Sequence, residues 1–219
     1  MGLTKGPPGP RPLAVAAAAG VAACLFIALF RFRRLGPLDF WAGLSAAVAL
    51  ITVLAFVVDK GYGRRLGDDL RTGLVRKAVI GVASAAVLYG VFAAGREAAV
   101  AVFPFAAGGI GRVYALGSGA PVVRLVLLIG LVIGPGEELF WRGFFQERAA
   151  AGTTRKSGFA LTSLLYTSVH LASANPMLIL AAAVCGLFWG WLYDRFRSPL
   201  LNVVSHTLWD LAVFVVFPF

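Results

Sequence analysis

The sequence predicts an all-α, polytopic transmembrane helix bundle, and three observations carry the prediction. The chain of 219 residues is 59% hydrophobic, with a mean hydropathy of +0.84, whereas soluble domains hold about 45–50% apolar residues even with glycine counted. Apolar runs of membrane-crossing length recur from one end to the other. Charged residues make up only 14% of the chain and gather between those runs.

Taken in order, residues 1–12 are rich in Pro and Gly and read as a disordered cytoplasmic tail. Seven apolar spans follow, at about 13–30, 40–58, 78–95, 122–146, 158–173, 177–193 and 199–217. Their lengths bracket the roughly 17–25 residues that cross a bilayer. The segment 96–121 is Gly-rich and half apolar, which suits an interfacial helix or a re-entrant piece and leaves the span count at six to eight. Two regions are drawn on this pattern: N-terminal helices over 13–121 and a core over 122–219 that holds the chemistry. The 26 glycines and the alanine-rich runs let membrane helices approach closely.

The net charge of +10 reads as loop charges that set topology rather than as a nucleic-acid footprint, since no aromatic–basic pattern suggests base stacking. With spans alternating, the N-terminal side collects Lys5, Arg11, Lys60, Arg64, Arg65, Arg71, Arg76, Lys77, Arg142, Arg148, Arg155, Lys156, Arg195 and Arg197. The other side holds Arg31, Arg33, Arg34, Arg96, Arg112 and Arg124. Lys and Arg accumulate on cytoplasmic loops, so the N-terminus is expected in the cytoplasm of a multi-pass membrane protein. Cys24 and Cys185 read as buried free thiols. Asp39, Asp59, Asp68, Asp69 and Asp194 sit at span ends and read as solvated, and Arg96–Glu97 as an interfacial pair.

Ionisable groups at membrane depth are costly and mark functional interiors. Three spans carry them: Glu137, Glu138 and Arg142 on the fourth, His170 on the fifth, His206 and Asp210 on the seventh. At a rise of about 1.5 Å per residue, Glu137 lies about 16 Å from the N-terminal-side end of its span, His170 about 20 Å, His206 about 12 Å and Asp210 about 18 Å. One cluster near mid-membrane, opening toward the cytoplasm, is expected. Glu138 and Arg142 are four apart with the acid first, the favourable order for a pair. Glu137 points about 100° away from Glu138 and faces a different neighbour. Tyr166–His170 and His206–Asp210 repeat the spacing of four. Gly134-Pro135-Gly136 is expected to kink the helix, since proline lacks an N–H, and to open a path for water to Glu137.

A carboxylate and a histidine that share a water act as a general base toward a carbonyl. A second histidine stabilises the oxyanion. Ser168 and Ser205 adjoin the polar clusters but face away from them on their helices, so neither is a convincing nucleophile. Each residue has a blander explanation: Glu138–Arg142 as a structural clamp, a lone His170 as a packing group, Asp210 as a mere support of His206. The conjunction of Glu, two His and Asp on three spans at matched depth favours chemistry. No H-E-x-x-H occurs, and no metal or cofactor is expected.

The stretches EELFWR (137–142), YTSVH (166–170) and HTLWD (206–210) resemble the three motifs of the CPBP family, the CAAX protease and bacteriocin-processing (ABI) intramembrane glutamic endopeptidases. The resemblance covers about 122–217. It implies that Glu137 activates water with help from His170, that His206 and Asp210 bind the oxyanion, and that Glu138, Arg142 and Tyr166 support the site. It also implies a protein or peptide substrate, membrane-embedded or lipidated near its C-terminus. Tyr166 stands where phenylalanine is usual, and Asp210 where asparagine is common. An ionised aspartate repels an oxyanion, so Asp210 acts either protonated or by orienting His206. A non-catalytic immunity or scaffold protein, a zinc-dependent protease and a proton-coupled transporter are the alternatives.

Overall fold

A computed structural model describes residues 9–218 as an all-α bundle. The expected tail lies largely outside the described residues; helix α1 begins at Pro12, whose missing N–H costs nothing at a helix start. The order is α1 (Pro12–Phe32), a short hairpin of β1 (Arg34–Leu35) and β2 (Leu38–Asp39), α2 (Phe40–Val58), α3 (Tyr62–Arg71), α4 (Leu74–Val102) and α5 (Ala106–Tyr114). Then come α6 (Val122–Leu128), α7 (Gly134–Glu138), α8 (Glu147–Gly152), α9 (Arg155–His170), α10 (Pro176–Phe196) and α11 (Pro199–Leu211). Among the described residues, five helices are long and apolar enough to cross a membrane, or six if Ala106–Gly117 and Val122–Gly152, bent by 93°, count as one span. Helix α9 has only 16 residues, about 24 Å of helix, and begins with Arg155 and Lys156.

The ends of the helices identify two faces. At the first, where α1 begins, Asp59 joins Arg65 and Arg148, and Asp69 binds Lys77 and Ser198. Arg155 bonds Asp194, and Glu147 takes Tyr193 and Arg197 there. At the second, where α1 ends, Arg124 reaches Asp39, Trp41 Nε1 donates to Leu116 O at 2.9 Å, and Asn175 Nδ2 donates to Gly109 O at 2.8 Å. The segment 96–121 forms α5 and a 3-10 turn, and packs across α4 and α10 at this second end. Arg96 and Glu97 pair there as expected.

Asp59 is not solvated: it is 2% exposed and accepts from Arg65 Nη2 and Arg148 Nε, each at 2.6 Å. Burial pushes its pKa up, but the bonds to the two guanidiniums outweigh this and hold it below the ordinary carboxylate value. A depressed pKa contributes stability that is complete above the unfolded value and lost as pH falls through the folded one. Asp59→Asn should therefore cost about 2 kcal/mol at pH 7, with the gap from wild type closing below about pH 4; thermal unfolding in detergent as a function of pH checks it. Of the cysteines, Cys185 is buried, while Cys24 lies on the outer, bilayer-facing surface of α1.

The Gly-Pro-Gly segment departs from expectation. It is flanked by π-helical turns at Ile129–Ile133 and Leu139–Gln146, so the chain from Val122 to Gly152 stays helical while changing pitch. It opens no water path, because both glycines are packed. A Cβ on Gly134 would meet Thr207 Oγ1 at 2.4 Å, and one on Gly136 would meet Val48 Cγ1 at 2.3 Å. The Gly136 carbonyl accepts from Thr52 Oγ1 at 3.3 Å. The glycines serve close approach of α2 and α11 to α7. Gly136→Ala should cost about 1–3 kcal/mol by overpacking. Gly130→Ala, with nothing within 4 Å of its Cβ, should not; paired thermal melts compare them.

Candidate active site

Helix α7 presents its two glutamates to different neighbours, as their angular offset predicts. Glu138 is fully buried and saturated. Its Oε1 accepts from Arg142 Nη1 at 2.9 Å and lies 2.7 Å from His206 Nδ1. Its Oε2 accepts from Asn202 Nδ2 at 3.0 Å. Glu137 accepts from the Tyr166 hydroxyl at 3.1 Å and pairs with no cation among the described residues.

Arg142 is wholly buried, its guanidinium carbon 4.8 Å from the Tyr166 ring centre and 5.7 Å from that of Trp189. The ring faces supply attraction to a desolvated cation. Its Nε and Nη2 have no hydrogen-bond partner among the described residues. Glu138 is thus its only ion-pair partner among the described residues.

His170 ends α9, and its Nδ1 lies 2.7 Å from the Tyr166 carbonyl oxygen. A carbonyl only accepts, so Nδ1 carries the proton and Nε2 keeps its lone pair. The ring packs on Phe30, with centroids 4.4 Å apart. His206 stacks on Trp189 at 3.6 Å between centroids, and its Nε2 stands 3.4 Å from Asp210 Oδ2. That is looser than an ordinary N–H···O bond. Asn202, His206 and Asp210 follow one another at intervals of four along one face of α11.

Glu137, Tyr166, His170, His206 and Asp210 all line one cavity of about 280 Å³. Its remaining wall is largely aromatic and aliphatic, including Phe40, Trp41, Phe92 and Phe214. Glu138 and Arg142 stand behind this wall and hold it. The cavity lining extends toward the end of the bundle opposite the start of α1. It is lined by the C-terminal end of α1, the start of α2, the C-terminal half of α4 and the start of α10. All of these belong to the second end of the bundle. Depth counting located the groups along each helix but could not show which helix ends surround the cavity.

Ser205 is held by Ser84 and Trp189, and Ser168 bonds the Leu164 carbonyl; neither lines the cavity. Among the described residues no three His, Cys, Asp or Glu side chains are grouped to hold a metal ion. Sequence reasoning missed Asn202 and Trp189. Asn202 had a signal, a polar residue one helical turn before His206 in an apolar span. Trp189 had none, because its role depends on how α10 meets α11.

Residues 119–212 match the family model described as type II CAAX prenyl endopeptidase Rce1-like. No curated protein and no solved structure matches the chain. The matched stretch contains every polar residue of the site, from Glu137 to Asp210. Residues 119–212 are thus similar to the CAAX protease family of membrane endopeptidases, within a chain whose long apolar helices support an integral membrane protein.

Proposed function

We propose that the cavity is the active site of a glutamic-type intramembrane endopeptidase, hydrolysing a peptide bond of a membrane-associated or lipidated protein with water activated by Glu137 and His170. The observation that carries this reading is the division of labour between the two glutamates. Glu138 is consumed by three donors, while Glu137 meets only a neutral hydroxyl and faces the cavity. A carboxylate so placed accepts a proton from a bound water, and His170 Nε2 accepts a hydrogen bond from the O–H that remains. The hydroxide adds to the substrate carbonyl carbon, and Glu137 returns the proton to the departing amine.

The oxyanion falls to His206. Nδ1 donates to Glu138, so as an imidazolium His206 also carries an Nε2–H; this faces Asp210 at the loose distance of 3.4 Å and can turn to a developing charge. Preorganised donors of this kind are a large part of catalysis. Asp210 assists when protonated, as a donor, or otherwise by orienting the imidazole. Glu138 links His206 to Arg142, so the clamp positions the oxyanion donor. The aromatic wall suits apolar side chains flanking the scissile bond.

The test is cleavage of membrane-segment peptides by purified protein in lipid vesicles, comparing wild type with Glu137→Gln, each with and without a strong chelator. Loss of cleavage in the variant and indifference to chelator are expected. Cleavage that survives the substitution sinks the hydrolytic assignment, and loss on chelation alone favours a zinc-dependent protease.

A further inference from the structure

His206 is held firmly at one nitrogen and loosely at the other. Its Nδ1 lies 2.7 Å from Glu138 Oε1, while Nε2 stands 3.4 Å from Asp210 Oδ2. A bond at a single nitrogen leaves an imidazole free to tilt about that contact. The plane of the ring is set from α10, where the Trp189 indole lies against it with centroids 3.6 Å apart and planes 22° apart. An indole face also attracts a cationic ring. Whatever fixes the indole therefore fixes the direction in which Nε2 points.

Trp189 is wholly buried, and its Nε1 donates to Ser205 Oγ at 3.2 Å. The Ser205 and Ser84 hydroxyls bond at 2.9 Å, and Ser84 Oγ lies 2.8 Å from the Gly81 carbonyl oxygen. A hydroxyl has one hydrogen and a carbonyl only accepts. With the Ser84 hydrogen on Gly81, Ser205 gives its own to Ser84 and keeps its lone pairs for the indole N–H. The route exists because Gly81 lets α4 close on α11: a Cβ there would meet Val204 Cγ1 at 2.7 Å and the Leu201 carbonyl oxygen at 3.0 Å. Helix α4 braces the indole a second time. Its Phe92 packs edge-on against Trp209 at 4.6 Å, and Trp209 edge-on against Trp189 at 5.5 Å. Neither serine lines the cavity, so neither touches a bound chain. Helix α4 lies outside the residues 119–212 that match the family model.

We propose that Trp189 is a positioning residue for His206 and that Ser205 and Ser84 tether it, so that α4 takes part in aligning the oxyanion donor. The oxyanion role rests on the endopeptidase reading; the alignment of the imidazole does not. Untethered, the indole can turn about its side-chain bonds, and the imidazole tilts with it about the Glu138 contact. Nε2 then meets the developing charge off its line, which costs rate without weakening substrate binding.

The alignment is tested by nuclear magnetic resonance of histidine-labelled protein in detergent. The chain has two histidines, so a His170→Gln variant assigns the signals. A stacked indole shields the ring protons of His206. Ser205→Ala, and Ser84→Ala to a smaller extent, should move those resonances downfield and leave those of His170, which packs on Phe30 and Tyr166, in place. His206 resonances unmoved in both variants overturn the proposal. In cleavage of a membrane-segment peptide, Ser205→Ala should lower kcat about 10-fold or more, as a small misplacement of a catalytic group does, with KM close to wild type. Trp189→Phe keeps a ring against His206 but has no N–H to hold. It should lower kcat by itself, and adding Ser205→Ala should lower it no further, as coupled neighbours behave. Additive losses, or a lowered melting temperature with wild-type kcat per folded molecule, overturn the proposal and leave the serines a packing role. If Ser205→Ala does not fold, Ser84→Ala with Trp189→Phe completes the same cycle. Cleavage that survives Glu137→Gln refutes the hydrolytic reading and with it the oxyanion role, while the resonances still decide the alignment.

Discussion

Glu137→Gln is expected to lower peptide-bond cleavage by about 10³-fold, in the range that removal of a general base produces. The amide is nearly isosteric and can still accept from the Tyr166 hydroxyl that now binds the carboxylate at 3.1 Å. What it cannot do is take a proton from water. The neighbouring Glu138 does not substitute, since both its oxygens are occupied by Arg142, His206 and Asn202. The loss should therefore appear in kcat, with KM and thermal unfolding close to wild type. A structural role for Glu137 would show the opposite, a lowered melting temperature with residual activity in the folded fraction. Steady-state kinetics and melts on the same vesicle preparation separate the two outcomes.

Arg142→Met is expected to destabilise the bundle by about 3–5 kcal/mol, because it strands the buried Glu138 carboxylate without its guanidinium partner. Methionine fills similar space among Tyr166 and Trp189, so packing loss contributes little. The pair itself is not a source of net stability, since desolvating two charges offsets most of their attraction. This makes a second outcome testable. The double variant Glu138→Gln, Arg142→Met should recover a large part of the loss, as coupled neighbours do. It should not recover activity, because His206 Nδ1 loses the carboxylate that orients it at 2.7 Å. Tryptophan-fluorescence melts report the stability, and cleavage of a peptide reports the rest. Additive losses in the double variant would show that Glu138 and Arg142 do not act as one unit.

The helices were legible because apolar runs in lipid admit few alternatives: every backbone polar group must be satisfied within the segment. Expected boundaries such as 40–58 coincide with α2 at Phe40–Val58, and 177–193 sits inside α10 at Pro176–Phe196. The intervals of four also carried over, since they are properties of one helix. Glu138–Arg142 and His206–Asp210 meet as spacing requires, and His170 reaches back to the Tyr166 carbonyl. Asp59 was misjudged because sequence position at a span end says nothing about two arginines from α3 and α8 converging on it.

The sequence by itself determined the class of protein, the polar positions and the separate fates of the two glutamates, because hydropathy and the 100° helical offset are local quantities. Tertiary structure decided what stands opposite each group: Asn202 and His206 on Glu138, Trp189 under His206, Tyr166 on Glu137. It also decided that Gly134 and Gly136 are contact surfaces and that the cavity lining extends toward the end poor in basic residues. These outcomes depend on how helices distant in sequence pack, and a buried group's partner is chosen by that packing rather than by the residues beside it in the chain.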